Sequence, residues 1–475
     1  MDNSITYQST RGVDKDLSFE DALTNGLALD GGLYMPSRWP EFTYEELIEM
    51  KKLDYIGLTE KITIPFVGEN LKTKIGMISK KVYKKFNHQD IAPLIKLENN
   101  FYVMELFHGP TLAFKDYAMQ FLAELFDNVL ADKNKKIVIL GATSGDTGSA
   151  ALEAFKGKKN SDIFILFPHE RVSDVQRKQM TSINQAGSNA LALRTDFDGC
   201  QEIVKSLFND LNFRNEVSLS AINSINWGRL VPQIVYYFYA ALKLGAPEKK
   251  VSFSVPTGNF GNILAGWIAM KMGLPVEKLI CASNKNDILT RFFHTGRMER
   301  KDVSPSLSPS MDIQVSSNFE RLLFEILDRD SIKLNKLMND FKINKFYELS
   351  NSRKESLEDI FLSYKISDEE TLDTIKTIYN KNNYLIDPHT AIAVNAGKNA
   401  LFEKKIQSST PLISLGCAHP AKFPETIFKS VNFKPKNPEF LEQILMSSEN
   451  FDTLNNEKNV IKDYIYKEMR NKNVY

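Results

Sequence analysis

Residues 136–155 read KIVILGATSGDTGSAALEAF: an apolar, β-branched run to Leu140, a turn of Gly, Ser and Thr, and then small residues suited to a helix. The same order recurs outward from that stretch. DIFILFP at 162–168 and KLICASN at 278–284 are further buried strands. VSFSVPTGNFGNILAGWIAMKMG at 251–273 runs strand, glycine loop and helix, with Leu264, Trp267 and Ile268 at helical spacing, and PLISLGCAHPAKFPETIF at 411–428 repeats the pattern. Strands apolar throughout, alternating with helices, predict an α/β fold with a mostly parallel sheet covered on both faces.

A chain of 475 residues exceeds one hydrophobic core. Residues 1–92 read as helix, Gly-rich turn and helix, an N-terminal domain ahead of the first catalytic-looking motif. Residues 93–305, completed by 383–435, form the α/β core. The stretch 310–387 holds neither Gly nor Pro, so 306–382 is expected to be a largely helical insertion, and the charged amphipathic end of 436–475 a helical tail packed on the core.

Composition narrows the partner. With 43% apolar and 25% charged residues and a formal charge of +1, the chain has neither a disordered composition nor a basic footprint for nucleic acid, so a small molecule is expected. Cys200, Cys281 and Cys417 are odd in number and far apart, which argues against a disulfide framework and for a reducing, cytoplasmic setting. No two of the six histidines stand at helical ligand spacing, so no metal is expected. The N-terminus lacks a signal-peptide pattern, and the greasiest long run, 230–245, is interrupted by Pro232, Gln233 and Lys243, so no membrane span is expected.

HGPTLAFKDYAM at 108–119 carries the first candidate for chemistry. Ala118, Phe121, Leu122, Leu125, Phe126 and Val129 fall on one face of a long helix, which sets Lys115 near its N-terminus. Helix polarity and the apolar Phe114 both disfavour the ammonium form there, and a lysine so treated is a nucleophile for an aldehyde, most commonly pyridoxal phosphate. An exposed lysine pairing with Asp116 is the other reading.

Three loops suit anions. In TGNFGN, 257–262, Gly258 and Gly261 let backbone amides turn toward one point at a helix start, as a phosphate cradle requires. TSGDTG, 143–148, either cradles a carboxylate or simply caps its helix. INSINWGR, 222–229, adds Asn226 and Arg229, a clamp for a second anion or a surface ion pair.

HGPTLAFKDYAM, GATSGDTGSAA, SVPTGNFGN, SPSMDIQVSSNFERLL and AHPAKFPE, in that order, resemble the threonine synthase family, as do YQSTRG at 7–12 and GLALDGGLYMP at 26–36. The resemblance covers most of the chain to about Lys429. It implies a fold-type II pyridoxal 5'-phosphate enzyme that turns O-phospho-L-homoserine and water into L-threonine and phosphate, acting as a monomer or homodimer.

By the same resemblance, Lys115, with Phe114 beside it, would carry the cofactor as a Schiff base and move protons, while Gly258, Asn259, Phe260, Gly261 and Asn262 would hold its phosphate. Thr143, Ser144, Gly145 and Thr147 would grip the substrate carboxylate, with Asp146 near the cofactor's phenolic oxygen. Asn226 and Arg229 would take the substrate phosphate. Where the family usually has a threonine facing the pyridine nitrogen, this chain has Cys417, a weaker hydrogen-bond partner. The alternatives are a related lyase releasing 2-oxobutyrate, a serine or threonine dehydratase, and a catalytically silent binding protein of the same fold.

Overall fold

The computed structural model describes residues 5–143, 145–183 and 187–472. Along the chain, β1 (Leu94–Glu98) and β2 (Phe101–Glu105) lead to α1 (Lys115–Asp132), β3 (Ile137–Ala142), α2 (Asp146–Phe155), β4 (Ser161–Pro168), β5 (Ser188–Leu193) and β6 (Leu219–Ser220). Then come α3 (Trp227–Lys243), β7 (Val251–Pro256), α4 (Gly261–Lys271), β8 (Val276–Ser283), β9 (Phe361–Lys365), α5 (Pro388–Phe402), β10 (Leu412–Gly416) and β11 (Asp452–Leu454).

Among the described residues these strands form two larger sheets, ordered β9-β8-β7-β10-β2-β1 and β11-β5-β4-β3-β6. Every pairing is parallel except that of β1 with β2. Every residue of β7 and of β10 is buried, which is why neither sequence alternates: helices cover both faces.

The predicted stripe on α1 is buried in full, and truncating one of its larger members, such as Phe121, would cost about 3–5 kcal/mol. Helix α3 is buried from Trp227 to Leu242 and keeps its helical path through Pro232.

The stretch 306–382 is not helical throughout. FLSYK, Phe361–Lys365, is the edge strand β9, paired with β8 from Leu279↔Phe361 to Ser283↔Lys365. Phe346–Glu348 pairs antiparallel with Arg297–Glu299. Both strands are too short to show a period in a stretch with no Gly or Pro to punctuate it, so composition alone read as helix. The tail likewise contributes β11, which pairs with β5 before the final helix Lys458–Lys472.

The N-terminal segment is keyed to α3. Tyr7–Ser9 pairs antiparallel with Tyr34–Pro36; the Tyr7 hydroxyl donates to the Phe66 carbonyl at 2.8 Å and accepts from Trp227 Nε1 at 3.2 Å. The buried Arg321 donates to the Tyr34 and Ile225 carbonyls, joining that segment to the loop before α3. No helix among the described residues is long and apolar enough to cross a membrane.

Candidate active site

Parallel strands direct their C-terminal ends, and the helix starts that follow, to one side of a sheet. Here the starts of α1, α2, α4 and α5 and the end of β10 converge on one cleft. Phe114, Lys115, Thr147, Arg229, residues 258–262 and Cys417 line it. Motifs up to about 300 residues apart in the chain thus meet.

Lys115 is the first residue of α1, and the Phe114 N–H donates to the Cys417 carbonyl at 2.8 Å, tying the start of α1 to the end of β10. Burial lowers the pKa of the Lys115 amine; the charge of Asp146 opposes this, and those of Lys422 and Arg229 add to it. Asp116 is not its partner. That carboxylate accepts from the Thr111 N–H at 2.7 Å and hydroxyl at 2.8 Å, and burial raises its pKa to about 6. Lys115 Nζ instead lies 3.7 Å from Asp146 Oδ2 and 3.4 Å from Ser310 Oγ.

Asp146 is shared. Its Oδ1 accepts from Lys422 Nζ at 2.8 Å and from Gln176 Nε2 at 3.1 Å. Burial alone would raise this carboxyl, but the charges of Lys422 and Lys115 and the Lys422 hydrogen bond hold it well below the usual carboxylate range.

The phosphate-type loop is built by close approach. A Cβ on Gly258 would stand 3.2 Å from both the Met311 Cα and the Ser310 carbonyl, and Phe260 takes a left-handed φ of 64° to turn the chain into α4. Ser316 Oγ donates to the Gly258 carbonyl at 2.7 Å and the Asn318 N–H to the Asn259 carbonyl at 3.0 Å, which draws these acceptors toward 316–318. The first amides of α4 have no helical acceptor and are available to an anion.

Three buried polar atoms on the cleft wall have no partner among the described residues: Arg229 Nε, Asn262 Nδ2 and His389 Nε2. Leaving such groups unpaired costs about 1–3 kcal/mol each, so they fit a cleft whose ligand supplies the partners. Asn262 Oδ1 accepts from the Tyr236 and Tyr237 hydroxyls at 2.6 and 3.0 Å, which fixes its amide orientation. Burial lowers the Arg229 pKa to about 10, and no described carboxylate pairs with it. Two donors toward an anion and a low-pKa lysine toward an aldehyde suit pyridoxal phosphate and an anionic substrate.

Other predicted residues build the walls. Thr143 Oγ1 accepts from the N–H groups of Gly145 and Gly148, each at 3.0 Å, so its hydroxyl braces the turn, whereas Thr147 faces the cleft. Ser144 lies outside the described residues. Asn226 is not brought into the cleft: its Oδ1 accepts from the Gly228 N–H at 2.9 Å as the N-cap of α3, and its Nδ2 donates to the Leu23 carbonyl at 2.9 Å. The cap spends both ends of the side chain, which is why Arg229 alone of that pair presents an unpaired donor. Cys417 is 5% exposed; burial and the charges of Asp387 and Asp146, opposed by Lys115, keep its pKa well above the ordinary thiol value.

Sequence reasoning missed His389, Ser310 and Lys422. Ser310 and Lys422 stood inside the quoted motifs SPSMDIQVSSNFERLL and AHPAKFPE but received no role. For His389 the available signal is the Asp-Pro-His-Thr order at a helix start, which metal-ligand spacing does not register.

The chain matches the family models described as Threonine synthase N terminus over residues 6–83, Pyridoxal-phosphate dependent enzyme over 87–335, and Threonine synthase, C-terminal, over 390–465. It is 48% identical over 455 residues to a threonine synthase of Pseudomonas aeruginosa, covering 95% of this chain and 96% of that one. It is 41% identical to that of Schizosaccharomyces pombe, over 90% of this chain and 89% of that one. The solved structure of pyridoxal-phosphate-bound threonine synthase from Brucella melitensis superposes with a TM-score of 0.95 at 45% identity, covering 98% of this chain and 99% of that one. With its motifs gathered at one cleft and nearly all of its length matched, the chain belongs to the threonine synthase family.

Proposed function

We propose that this cleft converts O-phospho-L-homoserine and water to L-threonine and inorganic phosphate, as a pyridoxal-phosphate-dependent lyase. When bound, the cofactor supplies an electron sink for the carbanion left when a proton leaves the substrate Cα. Every remaining task falls to side chains. The observation that carries the reading is a lysine amine at a helix start on the same cleft as a buried guanidinium whose Nε has no partner among the described residues.

Lys115 Nζ takes and returns protons at carbon, and the burial that lowers its pKa favours the free amine. Asp146, held ionised by Lys422, attracts Lys115 when that amine is protonated and retains its own charge when the amine is free. Thr147 and the first amides of α2 donate to the substrate carboxylate, the start of α4 takes the cofactor phosphate, and Arg229 donates to the phosphate that leaves. Burial of the walls excludes bulk water and strengthens each of these interactions.

Residues 93–305 with 383–435 serve as the catalytic core in this reading, and the three unpaired cysteines support a reducing, cytoplasmic setting. Incubation of the purified protein with phosphohomoserine should give threonine and phosphate in equal amounts. Phosphate with 2-oxobutyrate as the main product would establish the lyase instead, activity confined to serine or threonine the dehydratase, and no turnover a silent protein.

A further inference from the structure

Between the short strand Arg297–Glu299 and the helix Phe319–Ile326 the chain contains no strand and no α-helix, only the 3₁₀ turn Pro309–Met311. That irregular segment is nonetheless a wall of the cleft. Ser310 and Met311 line it, and their backbone lies against the phosphate-type loop, where a Cβ on Gly258 would stand 3.2 Å from the Met311 Cα and the Ser310 carbonyl. With no sheet ladder to hold it, such a wall keeps its place only through side chains.

Asp312 supplies the hold. Its Oδ1 accepts from Asn284 Nδ2 at 2.8 Å, Asn286 Nδ2 at 2.9 Å and Ser306 Oγ at 2.6 Å, and its Oδ2 accepts from the Ser306 N–H at 3.0 Å. Asn284 and Asn286 are buried just past the end of β8, so one end of the knot is fixed to the central sheet. Asn286 adds a second stitch, accepting from the Ser304 N–H through Oδ1 and donating to the Ser304 carbonyl through Nδ2, each at 2.8 Å. A carboxylate accepts at both oxygens and so meets all of these donors, whereas an asparagine would turn an NH₂ group on at least one of them. Asp312, Asn284 and Asn286 do not themselves line the cleft.

We propose that Asp312 is a positioning residue for the cofactor phosphate: by tying 304–312 to the end of β8 it sets how closely the wall at Ser310 and Met311 presses on Gly258, and so where the amides of 258–262 point. Wall and loop meet backbone to backbone, and close-packed backbone does not absorb a shift on one side alone. Hydrogen bonds from those amides to a phosphate weaken steeply as they lose alignment. The inference rests on pyridoxal phosphate binding at the start of α4.

The test titrates full-length protein, stripped of cofactor, with pyridoxal phosphate and separately with pyridoxal, which offers Lys115 the same aldehyde without the phosphate. Asp312→Asn should raise the Kd for pyridoxal phosphate roughly tenfold or more while that for pyridoxal stays within about twofold, and the ³¹P resonance of the bound phosphate should move. Ser306→Ala, which removes one donor to Asp312 and leaves the carboxylate in place, should show the same pattern at smaller size. Equal losses for the two aldehydes overturn the inference, because a loosened fold or a disturbed Lys115 weakens both. So does a folded Asp312→Asn protein with unchanged Kd and ³¹P signal, or, if that variant does not fold, a Ser306→Ala protein that binds pyridoxal phosphate as the wild type does. Failure of the wild-type protein to bind pyridoxal phosphate would instead strike the cofactor reading of the cleft.

Discussion

Lys422 Nζ sits 2.8 Å from Asp146 Oδ1, while Lys115 Nζ stands 3.7 Å from Oδ2 of the same carboxylate. The Lys422 side chain is fully buried and also donates to the Thr111 carbonyl at 2.9 Å. One lysine is therefore a fixed counter-ion and the other a movable one. That division lets a single buried carboxylate steady an amine that must lose and regain its proton.

Borohydride reduction of the holoenzyme followed by peptide mapping should place the pyridoxyl group on Lys115. Lys422 is the instructive competitor, being the other lysine on Asp146, and a label there would reverse the two roles. Lys115→Ala should bind cofactor without covalent capture and lose turnover by about a thousandfold or more.

Lys422→Met removes a positive charge that depresses the Lys115 pKa. The amine pKa should rise, and the pH at which apo-protein captures pyridoxal phosphate should move upward with it. Stopped-flow absorbance across a pH series reads the shift; an unmoved profile would show that Lys422 does not set the state of Lys115. Stability should fall by about 3 kcal/mol or more, since a buried ion pair loses one partner.

Arg229 and Asn226 lie three residues apart, yet their substitutions should be felt in different measurements. Arg229→Gln removes a buried donor on the cleft wall and should lower kcat/KM for phosphohomoserine by roughly ten- to a hundredfold, mostly through KM. Asn226→Ala deletes a helix cap and should cost about 1 kcal/mol in denaturant unfolding while KM changes little. An Asn226→Ala protein of full stability and raised KM would return Asn226 to the substrate.

His419 supplies a pH test outside the reaction. Burial, opposed by Glu105 and assisted by His108, lowers its pKa to about 4, against about 6.5 unfolded. Between those values the unfolded chain binds more protons than the folded one, so the stability contribution is complete above pH 6.5 and falls away as the pH drops toward 4. Its size is at most about 3 kcal/mol. Asp116, raised to about 6, works in the opposite direction over much of the same range, so the wild-type curve alone does not isolate His419. His419→Asn keeps an acceptor for the Ala421 N–H, which bonds Nδ1 at 3.1 Å, and removes the titration. Denaturation series at pH 7 and pH 5 should show the wild-type protein losing more stability than this variant; equal losses would mean that His419 titrates normally in the fold.

The sequence by itself determined the repeated strand, glycine loop and helix of the core, the stripe that buries α1, and the position of Lys115 at a helix start. These are local matters, set by the period of apolar residues and by turn chemistry within about twenty residues. The motifs also carried the family, because five of them stood in one order along the chain.

Only the tertiary structure decided which polar atoms are spent and which are free. Thr143, Asn226 and Arg229 are each a polar residue beside a helix start in the sequence; folding closes the first on Gly145 and Gly148, the second on Gly228 and Leu23, and leaves Arg229 Nε open to the cleft. It also joined Asp146 to Lys422 across 276 residues of chain, and put FLSYK beside β8 as an edge strand where composition read as helix. Hydrogen-bond partners and strand neighbours come from segments distant in sequence, and no local pattern records them. Burial then sets how much each unpaired group costs, and so which of them a ligand must satisfy.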